Sequence, residues 1–351
     1  MIKKSNLLSH YQKYPKLQIE DVFKYIYQSS FGCEHLVDNE NDVIGYIKRE
    51  VSDKECFENT EIEALDGEYS RVPLSLIYEG MSAETFGKIF CISAKKEPDG
   101  KEKLLEMLKS ARELVAVGEL PFSIQEFDKK VASWEKTGYE AVHHSAVFRA
   151  EYKPHYRVIS NRFIPFLSFF AEVDKLVTKG DAIIAIEGGS ASGKTTLAGI
   201  LSQIYDCNIF HMDDFFLRPE QRTPERFAQV GENVDRERFL SEVLIPLSEK
   251  REVCFRKFDC STQSLGKPIK VAPKRLTFVE GAYSMHPSLE KFYDFSLFLD
   301  IDPKCQRERI LVRNSPHLAK RFFDEWIPFE TRYFSETQIK KRCDMTFEID
   351  F

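Results

Sequence analysis

The chain has 351 residues, more than one typical domain holds, so two domains are expected. Its net charge is −6 with both signs spread along the chain, which argues against a nucleic-acid or polyanion binder. No stretch approaches the roughly 20 apolar residues of a membrane span. The eight cysteines form no C-x-x-C pair and read as free thiols. No long apolar run follows the first residues, so no secretory leader is expected, and a soluble cytoplasmic protein is the default.

The first half reads as mostly helical. Residues 20–29 carry Val22, Phe23, Ile26 and Tyr27 at helical spacing, and residues 43–47 and 83–94 look similar. Residues 101–117 place Leu104, Leu105, Leu108, Ala111, Leu114 and Val115 on one face. Ser123 with Glu126 three positions on has the form of a capping box. Residues 163–177 form an aromatic-rich helix that closes this half. Two dense clusters stand out. One is Ser30-Phe31-Gly32-Cys33-Glu34-His35. The other is His143-His144-Ser145, followed by Arg149, Tyr152, His155, Tyr156 and Arg157. Such mixtures suit metal or acid–base chemistry. Neither has zinc-site spacing, and adjacent histidines in a regular element point in different directions. Helix capping, packing and substrate gating are the competing uses, and the residues alone leave them open. The change of pattern divides the chain into a helical domain, residues 1–158, and a second domain, residues 159–351.

The second half alternates. Strand-type stretches at 182–186, 208–212, 253–258, 276–279, 295–301 and 345–349 are separated by helical ones, notably 236–247 and 303–313, the latter opening on Pro303. Alternating β and α units predict an α/β fold with a parallel sheet flanked by helices. Ligands then sit at the carboxyl ends of the strands.

At the end of the first of these stretches stands Gly188-Gly189-Ser190-Ala191-Ser192-Gly193-Lys194-Thr195, followed by Thr196. This is the G-x-x-x-x-G-K-[ST] phosphate loop in its required strand–loop–helix setting. The glycines let backbone N–H groups turn toward phosphate oxygens, Lys194 reaches the β- and γ-phosphates, and Thr195 ligates Mg²⁺. Phosphoryl transfer also needs a carboxylate for the acceptor hydroxyl and cations for the migrating charge. The stretch at 208–212 runs into Asp213-Asp214, and Asp213 is taken as the base rather than an Asx turn. Glu280 closes the stretch at 276–279, as a magnesium-site acid does. Arg307, Arg309 and Arg313 lie within two turns of the Pro303 helix, where they close over phosphates or merely decorate a helix surface.

In order, Gly-Gly-Ser-x-Ser-Gly-Lys-Thr-Thr, Met-Asp-Asp-Phe-Phe, Val-Glu-Gly and Phe-Leu-Asp-Ile-Asp with an arginine-bearing helix behind it resemble the uridine kinase group of P-loop kinases. That group includes nicotinamide riboside kinase, pantothenate kinase and phosphoribulokinase. The resemblance covers roughly residues 180–350. It implies that Asp213 activates a sugar hydroxyl and that Glu280 is a second acidic site residue. It further implies that Asp235 holds ribose hydroxyls, that Phe258 and Asp259 line a nucleoside pocket, and that Arg309 and Arg313 are lid arginines. Asp214 and Phe216 look closer to the nicotinamide riboside kinase pattern. Gln306 and Asn314 depart from the group's pattern, as does the stretch 321–328. No family is recognised in the first half.

The expectation is therefore an ATP- and Mg²⁺-dependent kinase acting on a small hydroxyl-bearing acceptor, most closely a nucleoside, with no nucleic-acid or membrane partner. Its oligomeric state and its choice between ATP and GTP stay open. A nucleotide-operated regulatory protein, or a bifunctional protein with a second activity in the first half, are the rivals.

Overall fold

The computed structural model describes residues 5–33, 39–52, 61–94 and 100–349. The chain divides into two compact units, Met1–Asp174 and Lys175–Phe351.

In the first unit, α1 (Ser5–Lys13), α2 (Ile19–Phe31) and α3 (Glu40–Ser52) precede β1 (Glu63–Ala64) and β2 (Tyr69–Pro73). Then come α4 (Ala83–Ser93), α5 (Gly100–Ala116), α6 (Ile124–Lys136) and α7 (Ala146–Tyr152), followed by β3 (Tyr156–Ser160) and α8 (Leu167–Lys179). The helices follow the apolar periodicity. Leu104, Met107, Leu108, Ala111, Leu114 and Val115 of α5 are buried, but Leu105 is 45% exposed. Ser82 and Ser145 cap α4 and α7 by accepting from Thr85 N and Phe148 N, each at 3.0 Å. Ser123 precedes α6 as expected, but its hydroxyl bonds the Gln125 side chain, so the expected capping box is not made.

An antiparallel sheet, β1-β2-β3, was not foreseen. Because β3 pairs with β2 from Tyr69↔Ser160 to Pro73↔Tyr156, the chain divides after residue 174 and not at 158. All five residues of β2 are buried, Arg71 among them, so it shows no alternation of apolar and polar residues.

The second cluster of the first unit is a buried hydrogen-bond network. Asp21 is fully buried and accepts from Gln18 N (2.8 Å), Ser145 N (3.0 Å), Ser145 Oγ (2.7 Å) and His144 Nδ1 (2.9 Å). Burial alone would raise its pKa, but the bonds from His144, Gln18 and Ser145 outweigh that and hold it below the usual carboxylate range. The associated stability is present above the unfolded carboxylate pKa of about 4 and is lost as pH falls through the lower folded value. Asp21→Ala strands these donors and is expected to destabilise the chain by about 3–5 kcal/mol at pH 7, read from urea unfolding. A loss under 1 kcal/mol would contradict this assignment. Glu34 and His35 of the other cluster lie outside the described residues.

In the second unit, β4 (Ala182–Gly188), α9 (Lys194–Ile204) and β5 (Asn208–His211) lead to α10 (Pro224–Phe227), α11 (Arg236–Phe239) and α12 (Ile245–Ser248). Next are β6 (Val253–Asp259), β7 (Ser264–Val271), β8 (Leu276–Glu280) and β9 (Phe295–Ile301). Last come α13 (Pro303–Arg313), α14 (Pro316–Arg321), α15 (Ile327–Thr337), α16 (Ile339–Arg342) and β10 (Met345–Ile349). Five strands form a wholly parallel sheet in the order β10-β9-β4-β8-β5. β4 is central, and its Ile184, Ala185 and Ile186 are fully buried. The carboxyl ends of β4, β8 and β5 therefore lie side by side, as Ile186↔Glu280 and His211↔Glu280 register shows.

Two expectations change here. The stretch 253–258 does not join the parallel sheet. It pairs with β7 in a separate antiparallel hairpin, where Val253, Phe255 and Phe258 are buried while Cys254 and Arg256 are exposed. The helix expected over 236–247 is interrupted by a π-helical turn at Leu240–Leu244, and a second such turn, Phe322–Trp326, links α14 to α15. Single π-helical turns often accompany functional sites.

Candidate active site around the phosphate loop

The loop 188–195 joins β4 to α9. Gly188 has φ of 150°, and a Cβ there would stand 2.5 Å from the Leu299 carbonyl oxygen, so only glycine lets β9 approach this closely. Gly193 is the N-cap of α9 and brings no side-chain oxygen to its first amides. Ser192 is buried, and its hydroxyl has no partner among the described residues. The Lys194 ammonium donates to the carbonyls of Gly188 and Gly189, both at 2.9 Å. These acceptors are neutral, and the carboxylates that feel its charge, Asp213 and Glu330 among them, are not bonded to it. Thr196 is exposed.

Thr195 Oγ1 donates to Glu280 Oε1 at 3.1 Å, and the same oxygen lies 2.5 Å from His211 Nδ1. That hydrogen bond raises the His211 pKa. Asp213 follows directly on the strand end. Its side chain is exposed to solvent, yet protein atoms crowd the carboxylate. This desolvation raises its pKa, with Lys194 pulling down, Glu280 pushing up, and His211 and Asp214 adding opposed smaller effects. Sequence and structure thus bring Asp213, Lys194, Thr195 and Glu280 together. His211 was read only as part of the strand end.

The remaining residues are distributed as follows. Asp214 pairs with Lys257 at 3.0 Å. Asp235 is buried and caps α11 through Arg238 N at 3.2 Å, while its Oδ2 has no hydrogen-bond partner among the described residues. Phe258 is buried beneath Arg222, whose guanidinium lies 5.5 Å from the ring centre. Asp259 is exposed, and its carboxylate folds onto Ser261 and Thr262 in an Asx turn. Arg309 Nη1 donates to the Ala191 carbonyl at 3.1 Å, whereas Arg313 is exposed at the end of α13. Gln306 also reaches the loop, donating to the Ser190 carbonyl at 2.9 Å.

A cavity of about 330 Å³ opens in this unit, with Phe216, three residues after Asp213, in its wall. Phe216, Phe227, Trp326 and Phe329 give it aromatic walls, and Asn233 and Arg321 are among its polar groups. Phe227 and Phe329 stack with ring centres 5.7 Å apart. The departing stretch 321–328 therefore builds the cavity wall through its π-helical turn.

Glu330 was not anticipated. This buried carboxylate on α15 accepts from Ser190 N at 2.8 Å and Ser190 Oγ at 2.6 Å. Its pKa is raised by burial, against the pull of Lys194 and the Ser190 bonds. A carboxylate touching the loop repels incoming phosphates. Glu330→Gln keeps the reach and removes the charge, so the Kd for ATP is expected to fall about 3- to 10-fold by calorimetry. Weaker ATP binding would show that the carboxylate supports the loop more than it opposes phosphate.

Glu187 is fully buried at the end of β4 and accepts from Gly188 N, Tyr283 N, Met285 N and Tyr333 Oη. Burial pushes its pKa up to about 7. It ties the loop's first residue to the segments behind it.

The donor set fits nucleotide phosphates: an unpartnered Ser192 hydroxyl, a Gly188 cradle that a Cβ would fill, and a lysine held only by carbonyls. Thr195 and Glu280 are the residues that would hold Mg²⁺. Among the described residues no group of three or more His, Cys, Asp or Glu side chains gathers for a metal. Magnesium at phosphate sites takes one or two protein ligands and completes its shell with phosphate oxygens and water.

Sheet order, phosphate loop and strand-end carboxylates define the second unit as an α/β domain of the P-loop kinase fold. Among solved structures, the chain is similar to a possible uridine kinase from Bacillus stearothermophilus, at 22% identity and a TM-score of 0.39, over 51% of this chain and 99% of that one. It is also similar to a proposed fructose transport system kinase from Silicibacter sp. TM1040, at 21% identity and a TM-score of 0.39, over 48% and 90% of the two chains. No protein-family model and no curated protein matches the chain. No helix among the described residues is long and apolar enough to cross a membrane.

Proposed function

We propose that the second unit is an ATP- and Mg²⁺-dependent kinase that phosphorylates a hydroxyl of a nucleoside-like acceptor. The observation that carries this is Asp213: a carboxylate just beyond a strand end, within the field of the Lys194 ammonium and three residues before Phe216 of the aromatic-walled cavity. In this reading the acceptor's flat ring packs against Phe216, Phe227 and Phe329. Asp235 Oδ2, which makes no hydrogen bond among the described residues and lies 3.5 Å from Arg238 and 3.8 Å from Arg218, takes a sugar hydroxyl. Asp213 accepts the proton of the attacking hydroxyl while that oxygen bonds the γ-phosphorus and the bond from phosphorus to the ADP oxygen breaks. Lys194 leaves the loop carbonyls for the phosphates and stabilises the charge that accumulates, and Arg309 lies one loop carbonyl away from the same place. Mg²⁺ bound through Thr195 and Glu280 supplies charge neutralisation of the phosphates. A nucleotide switch needs no base, and Asp213 is the residue such a switch leaves unexplained.

The test is Mg²⁺-ATP consumption against nucleosides, nicotinamide riboside, pantothenate and sugar acids. A nucleoside is expected to stimulate ADP formation. ATP binding without stimulation by any of them would overturn the acceptor class.

A further inference from the structure

The first unit holds a cavity of about 380 Å³ with a lining of mixed character. Lys24, Gln28, His144 and Tyr156 are among its polar groups, and Val43, Phe90 and Val158 among its apolar ones. Such a volume suits a small molecule.

The polar wall is fixed by a continuous hydrogen-bond chain. Asp21, Lys24 and Gln28 recur at i, i+3 and i+7, so they share one face of α2. Asp21 holds the Nδ1–H of His144, which leaves Nε2 to accept from the Tyr156 hydroxyl at 2.6 Å. Gln28 Nε2 donates to the Tyr156 oxygen at 3.3 Å, and Gln28 Oε1 accepts from Arg71 Nε at 2.9 Å. Stacking of His144 on Phe148, with ring centres 4.1 Å apart, fixes the imidazole plane. Burial lowers the His144 pKa to about 3, so the ring is neutral at pH 7.

The charges on this wall are unequal. Arg157 is neutralised by Glu50 at 2.7 Å. Among the described residues Lys24 forms no ion pair, and its ammonium donates to the Val142 carbonyl at 3.0 Å. Burial lowers its pKa to about 8, which leaves it mostly protonated at neutral pH. The carboxylate that acts on it, Asp21, stands one turn earlier on α2 with its oxygens taken by Gln18, Ser145 and His144, so among the described residues no anion touches the ammonium, and an anion entering the cavity would. Behind this wall a second cation is incompletely bonded: the Nη2 of buried Arg71 has no hydrogen-bond partner among the described residues.

We propose that this cavity is a second ligand site, which binds a small organic carboxylate with its acid group on Lys24 and its apolar body against Val43, Phe90 and Val158. One cation with no anion in contact among the described residues calls for a monoanion, and the apolar remainder for a hydrocarbon or aromatic body. The site is independent of the phosphate loop and gives the first unit a role of its own.

Calorimetric titration of the full chain tests it, with benzoate and 1-naphthoate as probes and benzamide and inorganic phosphate as controls. At least one of the two carboxylates should bind, at least tenfold more tightly than benzamide or phosphate. Binding should persist in Lys194→Ala, which separates this site from the phosphate loop. Lys24→Met should weaken it at least tenfold, and Lys24→Arg should weaken it less. No binding by either carboxylate at millimolar concentration, equal binding of benzamide, or loss in Lys194→Ala would each overturn the proposal. The wild-type comparison of benzoate with benzamide stands even if Lys24→Met fails to fold.

Discussion

Asp213→Asn is expected to lower kcat by about 10³-fold while ATP affinity stays within a few-fold of the parent. The amide keeps the size of the carboxylate and removes its capacity to take a proton. Desolvation, Glu280 and Asp214 raise the Asp213 pKa against the pull of Lys194 and His211, so the group accepts a proton more readily than an ordinary aspartate. The base works only when ionised, so turnover falls as pH drops through this raised value. The acid limb of kcat/KM should therefore lie above the usual carboxylate range in the parent and be absent in the variant. ATP affinity is read by calorimetry, and acceptor turnover by ADP release. A loss below tenfold, or an unchanged acid limb, would remove Asp213 from the role of base and leave it a charge at the strand end.

The parts of this site visible in the sequence are those built from local runs. The phosphate loop, Asp213 and Glu280 all follow short apolar strands whose ends are marked by Gly or Asp. β9 and α13 carry strong boundary signals, respectively an apolar run over Phe295–Ile301 and Pro303 at a helix start. β7 was missed because Ser264–Val271 includes Gly266, Lys267, Pro268 and Lys270, is exposed over 266–268 without a clean alternation, and depends on β6 for its pairing. β2 was missed for the opposite reason. Its burial includes Arg71, which the bonds to Gln28 and Glu63 and the ring contacts with Tyr25 and Tyr156 make tolerable.

The groups that escaped prediction at the site act at long range. Glu330 reaches Ser190 across 140 positions, and no local pattern announces that. Trp326 enters the aromatic-walled cavity because α14 and α15 are joined by a π-helical turn, which offsets its side chain from ordinary helical register. Conversely, Asp259 stands beside a strand end in the expected position, yet its oxygens are taken by Ser261 and Thr262. The same residue type at a strand end can thus close a turn or face a ligand. What separates Asp213 from Asp259 is the company each keeps: a lysine and a second strand-end carboxylate in one case, two hydroxyl residues of its own loop in the other.

Lys194→Ala is expected to weaken ATP binding about 10- to 100-fold and to lower kcat by at least about 10²-fold. The half-buried ammonium now spends its hydrogen bonds on the Gly188 and Gly189 carbonyls. Charge-assisted bonds to phosphate are stronger than these, and they strengthen further as charge moves onto the transferring group. The two losses therefore have different origins, ground-state binding in the first and transition-state charge in the second. Lys194→Arg should not restore turnover, because a longer, planar guanidinium does not fit where a compact ammonium sits beneath two loop carbonyls. The alanine variant also removes two bonds to the loop carbonyls, so its melting temperature must be measured with its kinetics. Loss of kcat at saturating ATP in a variant that melts within a few degrees of the parent assigns Lys194 to the reaction. Full turnover at saturating ATP would reduce it to a binding charge and would shift the transition-state role to Arg309, which also reaches the loop.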